Sequence, residues 1–176
     1  KQIEDIQEEI KVTEVVDTEN TEIIEQEEEI PEFNPYWDYI KMNMLNVDFS
    51  ELKKINNNVK GWIQVNGTNI NYPFVQANDN KYYLTHSLDK SWNSAGWLFL
   101  DYRNNYTNNK NTIIYAHGRT DKAMFGTLRK VLNNGWLNNT DNFVIKISTE
   151  KENSLWQIFS TYHIPTTSDY LLVIIL

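Results

Sequence analysis

Apolar residues along this chain follow two rhythms. Before residue 59 they recur near helical spacing. Tyr36, Trp37, Tyr39, Ile40, Met44 and Leu45 predict a short amphipathic helix, entered after Pro31 and Pro35. Asp48-Phe-Ser-Glu51 has the form of a capping box, an acceptor side chain followed three residues later by Glu. It predicts a second short helix through Phe49, Leu52 and Ile55, stopped by Asn56-Asn57-Asn58. From residue 59 the rhythm shortens to β-prone runs between turn residues. The runs are Gly61 to Val65, Ile70 to Gln76, Tyr82 to Leu84, Gly96 to Leu100, Thr112 to His117, Phe143 to Ser148 and Leu155 to Tyr162. Asn66-Gly67 is a hairpin-turn dipeptide, and Pro73 predicts an edge strand or a bulge. One helix interrupts the runs, about Ala123 to Leu132, with Met124, Phe125, Leu128, Val131 and Leu132 on one face and Gly135 just past its end. Short strands around a single crossover helix predict a mostly antiparallel barrel or sandwich.

Charge divides the chain differently. The formal net charge over 176 residues is -8. Residues 1–32 hold 13 acids against 2 bases, a balance of -11, whereas residues 33–176 hold 11 acids against 14 bases, a balance of +3. The first stretch has no Trp, Tyr, Phe or Gly, and its Ile and Val stand among like charges. Such a segment buries too little surface to offset its ordering entropy, so 1–32 is expected to be an extended acidic spacer. A marginal acidic helix is the alternative. The remainder has neither a basic run nor a basic face, so nucleic acid is not an expected partner. No apolar run approaches the roughly 18 to 20 residues of a membrane-crossing helix; Leu171 to Leu176 is the longest. The chain has no cysteine, which removes disulfides, thiolate metal sites and a thiol nucleophile from its own residues.

The candidate chemistry is therefore narrow. His86, His117 and His163 are not in ligand spacing and no carboxylate cluster accompanies them, so no metal or cofactor is expected. Gly-rich phosphate loops are absent. His117 ends the run Asn111-Thr-Ile-Ile-Tyr-Ala-His117 and is followed by Gly118, with Ile113, Tyr115 and His117 on one face by alternation. A histidine at a strand end beside a glycine loop suits a general acid or base at a cleft. A locally hydrogen-bonded histidine fits the same pattern, and spacing alone leaves both open. His86, in a polar loop, and His163, near Pro165, take the local reading.

A resemblance bears on that choice. The run Gly61-Trp-Ile-Gln-Val-Asn-Gly-Thr-Asn-Ile-Asn-Tyr-Pro-Phe-Val-Gln76 resembles the start of the class B sortase catalytic domain. Asp79-Asn80-Lys81-Tyr82-Tyr83-Leu84, Gly96-Trp-Leu-Phe-Leu-Asp101 with Arg103 and Asn104, and Asn111 to His117 are similar to its next landmarks, in order. Met124, Phe125 and Leu128 match the helix after its histidine, and Trp156-Gln-Ile-Phe-Ser160 with Tyr162 resembles a later strand. The likeness runs collinearly over about residues 36 to 170.

The resemblance implies a mostly β chain: a sortase-type closed β-barrel, incomplete here with its last strands missing, and short N-terminal helices. It implies a spacer over 1–32, a helical lead-in over 33–58 and a partial barrel over 59–176. It also implies a cysteine transpeptidase of the bacterial cell surface. Such enzymes cut the C-terminal sorting signal of a secreted protein, hold it as a thioacyl enzyme and pass it to an amine of peptidoglycan or its lipid-linked precursor. The implied location is the outer face of the cell membrane, with contact to the membrane only through an anchor preceding Lys1. Family chemistry uses a cysteine, a histidine and an arginine, and His117 takes the histidine role by motif. Ala116 stands where Gly is usual, and Gly118-Arg119 departs from the family pattern. The arginine role does not transfer to Arg119, because the family's arginine lies on a last strand beyond the cysteine. With neither cysteine nor that strand, the expectation is an inactive, C-terminally truncated sortase whose final Leu171-Leu-Val-Ile-Ile-Leu176 is a frameshifted tail. A peptide-binding remnant or a fragment without function are the alternatives.

Overall fold

The computed structural model describes residues 12–15, 42–105, 111–161, 163 and 171–175, the first and last stretches as backbone. Strand β1 (Val12–Val15) pairs antiparallel with β2 (Met44–Val47), Val12 opposite Val47 and Val15 opposite Met44. In β2 the residues alternate, with Leu45 and Val47 buried. This corrects the helix expected through Met44 and Leu45. Over so few residues a period of 2 and one of 3.6 look alike, and a partner strand that satisfies the backbone decides between them. Tyr36, Trp37, Tyr39 and Ile40 lie outside the described residues, as does the acidic stretch apart from β1.

Helix α1 (Phe49–Ile55) begins where the capping pattern predicts, with the Asp48 carboxylate accepting the Ser50 N–H at 2.8 Å. Glu51, in the first turn, pairs with Lys54 at 2.6 Å. Asn56 ends the helix and turns inward. Its Nδ2 donates to the Tyr83 hydroxyl at 2.8 Å and to the Leu88 carbonyl at 2.7 Å. The helix stop is thus also a clamp on a segment some thirty residues away.

The main sheet is built from β3 (Val59–Val65), β4 (Asn71–Val75), β5 (Phe99–Leu100), β6 (Ile113–His117), β7 (Val144–Ser148), β8 (Asn153–Gln157) and β9 (Leu171–Ile175). Their order across the sheet is β8-β7-β3-β4-β5-β6-β9. Every neighbouring pair is antiparallel except β4 and β5, which meet in parallel at Val75 and Phe99. Among the described strands the sheet does not close, and β8 and β9 are its edges. The open, mostly β sheet is consistent with the incomplete barrel that the resemblance implies. Trp62, Phe74, Trp97, Phe99, Ile114 and Phe125 form the centre of the buried cluster. At Gly61 the approach is so close that a Cβ would stand 2.5 Å from Phe74 Cζ and 2.7 Å from the Ser148 carbonyl oxygen.

Several local expectations change. Pro73 is not on an edge strand, since β4 lies between β3 and β5. β5 meets β4 only at Val75, so no bond to β5 needs its missing N–H, and the bulge named as the alternative lies close by, where the β3 register shifts between Val59 and Gly61 opposite Val75 and Phe74. Tyr82–Leu84 is a 3-10 helix rather than a strand, opened by Asp79, whose carboxylate accepts the Lys81 and Tyr82 N–H groups at 2.8 Å each. The crossover helix is a 3-10 helix over Gly126–Leu132, and Gly135 sits inside a separate short α2 (Asn134–Leu137) rather than past a helix end. The break falls at Asn133, which is extended, and it lets Trp136 bury and donate from Nε1 to the Asn66 carbonyl at 3.1 Å. Strand β8 starts two residues earlier than expected and stops at Gln157, opposite Val144, the first residue of its antiparallel partner β7.

Candidate active site

Strand β6 alternates as its sequence requires. Ile114 and Ala116 are fully buried, while Ile113, Tyr115 and His117 are half-buried on the opposite face. His117 occupies the last position, its backbone opposite Leu171 of β9, and the Phe125 N–H donates to its carbonyl at 3.1 Å. Its ring reaches across to the 3-10 helix, where Nε2 lies 2.9 Å from the Leu84 carbonyl oxygen. That helix is held firmly. The Asp79 carboxylate caps its start, and the Tyr82 and Lys81 N–H bonds lower the Asp79 pKa below the usual carboxylate value. Tyr83 is buried, with its hydroxyl taken by Asn56 and Asn58. The Trp97 N–H donates to the Tyr83 carbonyl at 2.9 Å.

Two residues before His117, on the same face, Tyr115 donates its hydroxyl to Asp101 Oδ2 at 3.0 Å. Asp101 is only 1% exposed and gathers four further donors. They are the Arg103 backbone N–H and Nε at 2.9 Å each, Arg103 Nη2 at 2.8 Å and Asn80 Nδ2 at 2.9 Å. The Arg103 guanidinium holds the Asp101 carboxyl far below the usual range, against the opposing pull of burial. Burial, and then the bond to Asp101, pushes the Tyr115 phenol up. Gln76 closes the same turn, donating to the Asp101 and Asn104 carbonyls at 3.0 and 2.8 Å. Sequence reading used Asn80, Asp101 and Arg103 only as landmarks and did not connect them to Tyr115. The signal was an acid at a strand end with Arg two residues on, a spacing that lets a guanidinium fold back bidentately.

The other singled-out residues do not join His117. Arg119 grips Asp121 through Nε at 2.9 Å and Nη2 at 2.6 Å. Arg129, which the sequence reading left out, donates to the Gly118 carbonyl at 3.0 Å, one residue past His117. His86 stacks on Tyr82 with ring centroids 4.1 Å apart, its Nδ1 2.7 Å from the Tyr82 carbonyl oxygen. His163 is exposed. Among the described residues, no three His, Asp or Glu side chains gather as metal ligands. Among the described residues, one concavity of about 480 Å³ lies beside α1 (with Lys53, Lys54 and Lys90) and another of about 360 Å³ beside Trp136 and Asn142. Neither includes His117, whose strand adjoins the open β9 edge of the sheet.

No protein-family model matches the chain. Curated proteins do. Sortase B of Listeria monocytogenes is 38% identical over 124 residues, covering 70% of this chain and 49% of the relative. Sortase B of Staphylococcus aureus is 33% identical over 124 residues, covering 70% and 50%. Among solved structures, Clostridium perfringens sortase B superposes with a TM-score of 0.62 at 34% identity, covering 65% of this chain and 62% of that one. A Bacillus anthracis protein described as similar to sortase B gives a TM-score of 0.59 at 37% identity, covering 68% and 59%. The chain spans about half the length of the curated relatives it matches. Collinear landmarks, an open sheet with few short helices and these likenesses agree, and the chain belongs to the class B sortase family.

Proposed function

We propose that this chain carries the proton-transfer side of a class B sortase transpeptidation site, with His117 as the acid and base. The observation behind it is the placement of His117, half-buried at the end of β6 with its ring held on the 3-10 helix, within a stretch collinear with the family. In the reaction proposed, a thiolate attacks the carbonyl carbon of the scissile peptide and the C–N bond breaks. The departing amine takes a proton from the imidazolium. An incoming amine then attacks the thioacyl carbon and gives its proton back to the ring, and the thiolate leaves. Because the chain has no cysteine, the thiolate is not among its residues, and alone it forms no thioacyl intermediate.

The proposed substrate is the C-terminal sorting signal of a secreted protein, of Asn-Pro-x-Thr or Ser-Pro-x-Thr type. The proposed acceptor is an amine of peptidoglycan or its precursor, at the outer face of the bacterial membrane. Relatives lend support: one solved structure is a Staphylococcus aureus sortase B-substrate complex and another is sortase B complexed with triglycine.

A chimera tests the role of His117. Residues 42–161 of this chain replace the matching stretch of the Staphylococcus aureus relative, whose remaining sequence supplies the thiol. The chimera is expected to cleave a quenched sorting peptide. His117→Ala in it is expected to lose about 10²- to 10⁴-fold in turnover, the usual worth of a positioned acid and base. Full activity of the variant chimera refutes the assignment. Turnover by the cysteine-free chain itself refutes the need for an outside thiol.

A further inference from the structure

We propose that the Leu84 carbonyl, backed by Gly96, is a positioning group for His117. It holds the Nε2 proton permanently, so that proton exchange takes place at Nδ1. This rests on the proton-transfer role proposed for His117 and adds which nitrogen performs it.

A carbonyl oxygen only accepts, so an imidazole nitrogen 2.9 Å away must present N–H to it. The other neutral tautomer would set two lone pairs against each other at that distance. The Leu84 carbonyl lies at the C-terminal end of a 3-10 helix, where carbonyls lose their helical partners. The Tyr82 carbonyl is taken by the Thr85 N–H and the Tyr83 carbonyl by the Trp97 N–H. Among the described residues, His117 is the donor to Leu84, and Nδ1 accepts and donates nothing. When Nδ1 gains a proton, the Nε2–H bond becomes charge-assisted and strengthens, so the ring need not turn.

The carbonyl has to stay put for this to work, and Gly96 keeps it there. Gly96 has φ of +61°, and a Cβ on it would stand 2.5 Å from the Tyr83 oxygen and 2.7 Å from the Leu84 oxygen. Only glycine lets the 96–97 backbone close against the helix end, bond the Tyr83 carbonyl and wall in the Leu84 carbonyl. The sequence separates the two parts of this device by 33 residues, so no local pattern announces it.

The test reads the ring itself in the full chain, labelled with ¹⁵N in its histidines, at a pH where the ring is neutral. Long-range ¹H–¹⁵N spectra are expected to show a slowly exchanging proton on Nε2 of His117, close in space to the Thr85 amide, with Nδ1 bare. His117→Gln assigns the signal. Leu84→Ala keeps the carbonyl and is expected to keep the protected proton. Gly96→Ala is expected to speed its exchange at least tenfold, with the Trp97 indole N–H signal reporting that the fold persists. If Gly96→Ala unfolds, the parent and Leu84→Ala spectra decide. A proton on Nδ1, an Nε2 proton exchanging as fast as in free imidazole, or protection lost in a folded Leu84→Ala chain overturns the proposal. No thiol, peptide or turnover enters this measurement, so its failure is distinct from failure of the chimera.

Discussion

Replacing Asp101 with Asn exchanges one oxygen of a buried carboxylate for a donor of nearly the same size. Oδ1 accepts two N–H groups of Arg103, and Oδ2 accepts Arg103 Nη2, Asn80 and Tyr115. Wherever the amide NH₂ points, it faces donors. The milder orientation puts it at Oδ1, removing two bonds and leaving three whose acceptor is no longer charged. Bonds to a charged group contribute about 1.5 to 3 kcal/mol each. The Arg103 side chain is 66% exposed and regains water when released, which favours the low end of that range. Asp101→Asn is therefore expected to destabilise the fold by about 2 to 4 kcal/mol at pH 7.

The same variant carries a pH signature. The folded Asp101 pKa lies below its unfolded value, chiefly because of Arg103. Its contribution is thus fully present above the unfolded value of about 3.9 and is lost as pH falls through the lower folded value. The stability gap between parent and variant should be widest at neutral pH and shrink below about pH 4. Urea unfolding followed by tryptophan fluorescence measures it, since Trp62 and Trp97 are both buried. A gap under about 0.5 kcal/mol at neutral pH with unchanged urea dependence, or a gap constant into the acid range, would refute the reasoning.

Gly61→Ala drives a methyl group against Phe74 and the Ser148 carbonyl, and thermal unfolding should report a loss of about 1 to 3 kcal/mol. Thr127→Val removes the buried hydroxyl that accepts the Asn69 N–H at 3.0 Å; a cost of about 1 kcal/mol is expected, and none would show that water replaces it. Among the described strands β8 and β9 are the edges of the sheet, and such edges should make the chain self-associate at concentrations on the order of 10 μM, measured by sedimentation velocity. Trp156→Lys, on the β8 edge where the tryptophan is 44% exposed, should weaken that association, and a parent chain that stays monomeric contradicts the edge argument.

What could be read from the sequence is what short stretches decide for themselves. Strands β3, β6 and β7 carry enough β-branched and aromatic residues to announce themselves, and Asp48 caps α1 through a contact two residues away. The family could be read as well, because its landmarks are local runs in a fixed order. Tertiary structure decided the rest. Met44 and Leu45 became strand through a partner at residues 12–15, and Tyr82–Leu84 became a 3-10 helix under the grip of Asp79, Asn56 and Trp97. In the candidate site, the histidine was visible as a strand-end residue beside a glycine. Its bond to Leu84 and the bond of Tyr115 to Asp101 were not, since hydrogen bonds across 33 and 14 residues depend on how the strands stack rather than on the residues beside them. The composition set which groups were available, above all an imidazole and no thiol. Packing determined which nitrogen of that imidazole meets a carbonyl, because only closure of the chain around Gly96 brings the two within reach.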